Sequence, residues 1–234
     1  MAVIDKRPVF FFDIDNCLYP RSSNIHDEMF KLITQFISKH LALDSQEATV
    51  LQERYYNDYG LALEGLTRHH KIDPMVFNHE VDDALPLDSI LRPSPTLRAL
   101  LLRLDRSKVK PWLLTNAYIS HAARVLKLLG IDDLFEGITY CDYGSLPLEH
   151  QARSNAILLV CILENGSTTR SASLTDLSYL TDDSYLNCKH AHSRGWNTAH
   201  LVEPGLEAPQ VPASKYLIST LEEISVHFCH LFKP

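Results

Sequence analysis

The chain has 234 residues, of which 45% are apolar and 22% charged. Those proportions belong to a globular protein and exclude a mainly disordered one, and the length suits one large domain or a core with a smaller insert. A net charge of −7 and a pI near 5.9, with no Lys/Arg-rich run, exclude a nucleic-acid polymer as partner, because binding the phosphate backbone needs positive charge.

The five cysteines, Cys17, Cys141, Cys161, Cys188 and Cys229, are odd in number and widely spaced, with no C-x-x-C pair, which reads as reduced cysteine and not a disulfide frame or zinc site. The apolar run at residues 9–12 is too short for a secretory signal and ends in Asp13. The longest later apolar run, residues 156–163, is far below the roughly 20 residues of a membrane helix. The expectation is a cytoplasmic protein, with the nucleus as the alternative compartment and no membrane partner.

In chain order, Val9, Phe10, Phe11 and Phe12 form a short apolar run that ends in Asp13-Ile14-Asp15, as a buried central strand of a parallel sheet does. From residue 24 to about 91 the pattern turns helical. Met29, Ile33, Phe36, Ile37 and Leu41 make one stripe, and residues 47–59, 61–70 and 74–84 read as further helices. Strand and helix then alternate: a helix at 97–104, a strand at 111–116, and a helix at 119–129 stopped by Gly130. Strands follow at 137–141, at 177–181 before Asp182-Asp183, and at 198–202, with helices at 186–194 and 216–228. The alternation predicts an α/β fold, a doubly wound parallel sheet, with a helical insert after the first strand. Residues 144–175 break the pattern, since 156–163 is solidly apolar and 166–173 polar and loop-like.

Three predicted strand ends carry polar groups: Asp13/Asp15, Thr115/Asn116 and Asp182/Asp183. In a parallel sheet these ends share one edge, where α/β sites form. Four carboxylates gathered there repel one another unless a cation joins them, and Mg²⁺ suits carboxylates together with phosphate oxygens. The two-residue spacing lets Asp13 and Asp15 face one pocket, one as nucleophile on phosphorus and the other as general acid and base. Thr115 and Asn116 offer donors to phosphate oxygens. Taken singly these signals are weak: a lone D-x-D fits a solvated loop, and Asp182-Asp183 fits a helix cap. Together, in order and each at a strand end, they are far more specific. The pairs His69-His70, His190-x-His192 and His227-x-x-His230 lack partners at ligand spacing and read as solvated helix faces. Cys17 reads as a packing residue, and no G-x-S-x-G surrounds Ser184.

The segment from Phe12 through Asp13-Ile14-Asp15-Asn16-Cys17-Leu18-Tyr19 to Pro20 resembles the opening motif of the haloacid dehalogenase (HAD) superfamily, and more narrowly its pyrimidine 5′-nucleotidase-like branch. Leu113-Leu114-Thr115-Asn116-Ala117 resembles the second motif, Tyr140-Cys141-Asp142-Tyr143 the segment before the third, and Thr181-Asp182-Asp183-Ser184 the fourth. Tyr55-Tyr56-Asn57-Asp58-Tyr59-Gly60-Leu61-Ala62 resembles that branch's cap. The resemblance implies a core of residues 1–20 and 92–234 with a helical cap at 21–91. It implies Asp13 as nucleophile and Asp15 as acid/base. It also implies Mg²⁺ on Asp13, the Asp15 backbone carbonyl, Asp182 and Asp183, and phosphate on Thr115 and Asn116. The implied activity is phosphate-monoester hydrolysis, the implied substrate a nucleoside 5′-monophosphate.

One element of the pattern is missing. The family's third motif carries a lysine, and this chain has none between Lys127 and Lys189. Arg153 is the nearest candidate replacement for phosphate binding, although Arg and Lys are not interchangeable. Because the whole stretch 144–175 departs from the family, an altered exon or a misread gene accounts for it better than a point substitution; a weakened or silent relative is the alternative reading. A 2-haloacid dehalogenase, which needs no metal, is a further alternative that Asp15 and Asp182-Asp183 oppose.

Overall fold

The computed structural model describes residues 5–141 and 178–234. The expectations for Asp142, Tyr143, Arg153, Cys161 and residues 144–175 lie outside those residues.

Six parallel strands form one sheet in the order β3-β2-β1-β4-β5-β6. They are β1 (Val9–Phe12), β2 (Lys110–Thr115), β3 (Gly137–Tyr140), β4 (Ser178–Asp182), β5 (Asn197–Leu201) and β6 (Tyr216–Ile218). The chain steps outward from β1 through β2 to β3, then crosses back to β4 on the other side of β1. The order thus reverses at the carboxyl ends of β1 and β4, where open α/β sheets place their sites.

The Phe triplet explains why β1 is central. Phe10 and Phe12 stack on each other at 4.4 Å in the larger core, among residues such as Leu101, Val125 and Phe228. Phe11 points to the opposite face and stacks on Trp196 at 5.1 Å, beside Leu114 and Leu180. Alternation along the strand therefore feeds two cores, and a run without polar positions is what such a strand requires.

Residues between β1 and β2 are helical: α1 (Ile25–Leu41), α2 (Ser45–Tyr59), α3 (Ala62–His70), α4 (Pro74–Phe77), a π-helical turn at Asn78–Asp82, α5 (Leu87–Ile90) and α6 (Pro95–Leu102). Helices α1 to α4 and the π-helical turn bury a cluster of their own, including Phe36, Tyr55, Leu66, Phe77 and Val81. Caps set the boundaries. Helix α2 starts two residues before the predicted 47, because Asp44 accepts from the Glu47 amide while Glu47 accepts from the Asp44 amide. Helix α6 starts at Pro95, not 97, because Ser94 caps it and proline fits the first turn. Helix α7 (Ile119–Leu129) ends as expected at Gly130, whose φ of 69° suits glycine. Helix α8 (Tyr185–Ser193) is capped by Ser184.

The predicted helix at 216–228 is a correction. Tyr216–Ile218 is instead the sixth strand, paired to β5, and only Ile224–His227 (α9) is α-helical, between two 3₁₀ turns. The Glu223 carboxylate accepts from the Ser219 and Thr220 amides. That Thr-x-x-Glu helix start places the break after residue 220 and leaves three β-prone residues to pair with the sheet.

Candidate active site

Asp13 continues from β1 and stays tied to the sheet, its amide donating to the Thr181 carbonyl at 3.0 Å. Asp182 ends β4 on the neighbouring strand, and Asp183 follows it. Each of these three carboxylates offers an oxygen within 4.8 Å of the others. Asp182 is 1% exposed and held from both sides: Oδ1 accepts from the Ser184 amide at 2.7 Å and Oδ2 from the Asn187 side chain at 3.0 Å. Behind the cluster, the Cys17 and Cys188 thiols donate to the Thr181 and Asp182 carbonyls, and the His200 ring meets the Asp183 carbonyl. Both cysteines are buried and free, which gives them packing roles.

Burial and mutual repulsion act on all three carboxyls. Burial, then the charges of Asp182, Asp183 and Asp15, push the Asp13 carboxyl well above the usual carboxylate range. Burial and Asp183 push Asp182 up to about 8, against the amide donors of Ser184 and Asn187. Burial and Asp15 push Asp183 up to about 6, against Arg21 and Asn16. Three hard oxygen donors that resist ionisation side by side are a donor set suited to a divalent cation such as Mg²⁺.

The Asp15 carboxylate stands apart from this triad. Its Oδ1 accepts from the Tyr19 hydroxyl at 2.5 Å and lies 2.7 Å from His121 Nε2. Burial alone would raise Asp15, but the His121 charge and the hydrogen bonds of His121 and Tyr19 outweigh it, and the carboxyl sits below its ordinary value. The buried Asp82 carboxyl, on the π-helical turn, is pushed up to about 6 by burial, with His121 opposing and Asp15 adding.

Thr115 closes β2 at 1% exposure, its Oγ1 accepting from the Ala117 amide at 3.0 Å, so the hydroxyl proton is left to donate elsewhere. Asn116 follows, half-buried. Lys189 lies exposed on α8 over the Tyr185 ring. Of the histidine pairs, His69 and His70 bond Tyr59 and Tyr55, and His230 bonds Tyr179. Among the described residues no metal-holding group includes them.

Sequence reasoning missed His121, Tyr19 and Asp82 as parts of the site. A signal existed for His121. It occupies the buried stripe of α7 with Ala122, Val125, Leu126 and Leu129, where an otherwise apolar face carries one imidazole.

Comparison with known proteins settles the family. The model of haloacid dehalogenase-like hydrolases matches residues 8–147. The chain belongs to that family. It is 38% identical over 208 residues to Phosphate metabolism protein 8 of Saccharomyces cerevisiae, an alignment covering 84% of this chain and 62% of the relative's length. Among solved structures, a hydrolase from Pseudomonas syringae superposes with a TM-score of 0.62 at 16% identity, covering 97% of this chain and all of that one. A HAD phosphatase from Thermococcus onnurineus gives 0.51 at 18%, covering 94% and 97%. At such identities these structures establish the HAD-like fold of the chain. Among the described residues, no helix is long and apolar enough to cross a membrane.

Proposed function

We propose that this HAD-like hydrolase is a Mg²⁺-dependent phosphatase of small phosphate monoesters, acting through a phosphorylated Asp13. The observation that carries this reading is the convergence of Asp13, Asp182 and Asp183 within 4.8 Å, with Asp15 two residues from the nucleophile. A bound Mg²⁺, held by Asp13, the Asp15 backbone carbonyl, Asp182 and Asp183, would neutralise these carboxylates and the substrate's phosphate oxygens. An Asp13 oxygen attacks phosphorus, the ester P–O bond breaks, and Asp15, in its protonated form, gives its proton to the departing oxygen. Water then attacks the phosphorylated Asp13, loses a proton to Asp15, and leaves inorganic phosphate and a free carboxylate. Thr115 and Asn116 orient the phosphate by donating to its oxygens.

Residues 21–91 are proposed as a cap over this site, since α1 to α4 carry a hydrophobic cluster of their own and follow directly on the Asp15 loop. The proposed substrates are nucleoside 5′-monophosphates, pyrimidine ones first, because the opening motif resembles that branch and because the yeast relative's name places it in phosphate metabolism. A metal-free dehalogenase would leave the Asp182-Asp183 pair without a role. The absence of any lysine between Lys127 and Lys189 favours a second reading, a weakened or silent relative. Arg153 is the proposed substitute cation.

The test is phosphate release from a panel of nucleotides with Mg²⁺, using Asp13→Asn as the blank. Release above the blank that EDTA abolishes supports the phosphatase. No difference from the blank supports the silent relative, and halide release from an added 2-haloacid that persists in EDTA supports the dehalogenase.

A further inference from the structure

We infer that His121 and Tyr19 are paired positioning residues that hold the Asp15 carboxyl group by one oxygen, Oδ1, and leave Oδ2 as the oxygen through which protons pass. The inference rests on the phosphatase reading above. Tyr19 donates to Oδ1 of Asp15 at 2.5 Å, and His121 Nε2 stands 2.7 Å from the same atom. Both contacts fall on one oxygen, and among the described residues no hydrogen bond reaches Oδ2. With His121 Nε2 in its N–H form, Oδ1 accepts from both side chains and has its lone pairs engaged, so proton transfer in either direction runs through the other oxygen. Oδ2 is then the atom that protonates the leaving oxygen and later takes the proton from water.

The two grips come from different parts of the fold. Tyr19 lies four residues beyond Asp15 in the turn leaving β1 and is 4% exposed. His121 stands in the first turn of α7, the helix that follows β2, and is fully buried. Its other nitrogen, Nδ1, is buried with no hydrogen-bond partner among the described residues. Burying an imidazole with one nitrogen unsatisfied costs stability, and an apolar residue would suit this stripe of α7 better. The contact with Asp15 is the one interaction here that only such a ring supplies. With Oδ1 held from two directions, the carboxyl group cannot rotate to exchange its oxygens, and Oδ2 stays aimed.

The experiment compares kcat/KM on two esters, using the full chain with Mg²⁺. One is p-nitrophenyl phosphate, whose phenolate leaves without needing a proton. The other is a nucleoside 5′-monophosphate, whose alkoxide needs one. The parameter kcat/KM ends at departure of the first product, so it omits the shared hydrolysis of phosphorylated Asp13. His121→Ala is expected to lower kcat/KM on the nucleotide by about 10²-fold while the nitrophenyl ester changes by less than about threefold. His121→Gln, whose amide N–H can reach the same oxygen, recovers roughly tenfold of that loss. Tyr19→Phe shows a smaller loss with the same asymmetry. Equal losses on both esters, or none on the nucleotide, in variants that keep the parent's melting temperature would overturn the inference. Should His121→Ala not fold, His121→Gln and Tyr19→Phe decide it by the same ratio. If the unaltered chain hydrolyses neither ester above the Asp13→Asn blank, the phosphatase reading itself has failed and this inference goes with it.

Discussion

Replacing Asp82 by Asn is expected to stabilise the protein at neutral pH and to do nothing in acid. Asp82 is 8% exposed and its carboxyl is raised from 3.8 to about 6 by burial, with Asp15 and Asp83 adding to that and His121 opposing it. A raised carboxyl means that the folded state binds the proton more tightly than the unfolded chain does. Its contribution is therefore fully present below the unfolded value and is lost as pH climbs through about 6. The gap of about two units, at roughly 1.4 kcal/mol each, gives up to about 3 kcal/mol of lost stability above pH 7. Asparagine has the same shape and no charge to desolvate, so it recovers about 1–3 kcal/mol there. The assay is urea denaturation of parent and variant at pH 4, 5, 6, 7 and 8, comparing midpoints at constant slope. The difference should grow through the window from 4 to 7 and then level off. A difference that stays flat with pH, or a variant less stable than the parent at pH 8, refutes the reasoning.

Asp13→Asn should abolish turnover yet raise the melting temperature in EDTA, because it removes one of the mutually repelling buried carboxylates; Mg²⁺ should then stabilise the parent more than the variant in thermal scans. Trp196→Ala should cost about 3–5 kcal/mol by denaturant unfolding, since the ring stacks on Phe11 at 2% exposure. Trp196→Phe should cost far less than that, because the indole N–H is buried without a partner among the described residues. Gly65→Ala, despite alanine's better helix propensity, should lower the melting temperature: its Cβ would lie 2.2 Å from the Tyr55 ring, and that overlap costs about 1–3 kcal/mol of repacking.

Most of the sheet was legible in the sequence because local pattern and tertiary role agree. The Phe10–Phe12 run has no polar position, and only a strand covered on both faces tolerates that. Gly130 announced its helix end through the one backbone geometry that favours glycine. The last strand was hidden because Tyr216-Leu217-Ile218 is too short to show a period of two, and the apolar residues downstream supplied a false helical stripe. At the candidate site, the meeting of Asp13, Asp182 and Asp183 could be foreseen because each ends or follows a strand, and strand ends share an edge. The burial of His121 shows in the apolar stripe of α7, but its partner does not. Its meeting with Asp15 spans 106 positions of sequence and depends on how α7 lies against the loop after β1, which no local pattern encodes.

The placement of Asp13 directly after Phe12 ties chemistry to packing. Phe10 and Phe12 are wedged in one core and Phe11 in the other, so the peptide that carries Asp13, the proposed nucleophile, is held by packing on both faces. On the proposed mechanism, a change of substrate would have to come from the helices between β1 and β2 and from the loops beyond the sheet, with the strand as a fixed anvil for varied leaving groups.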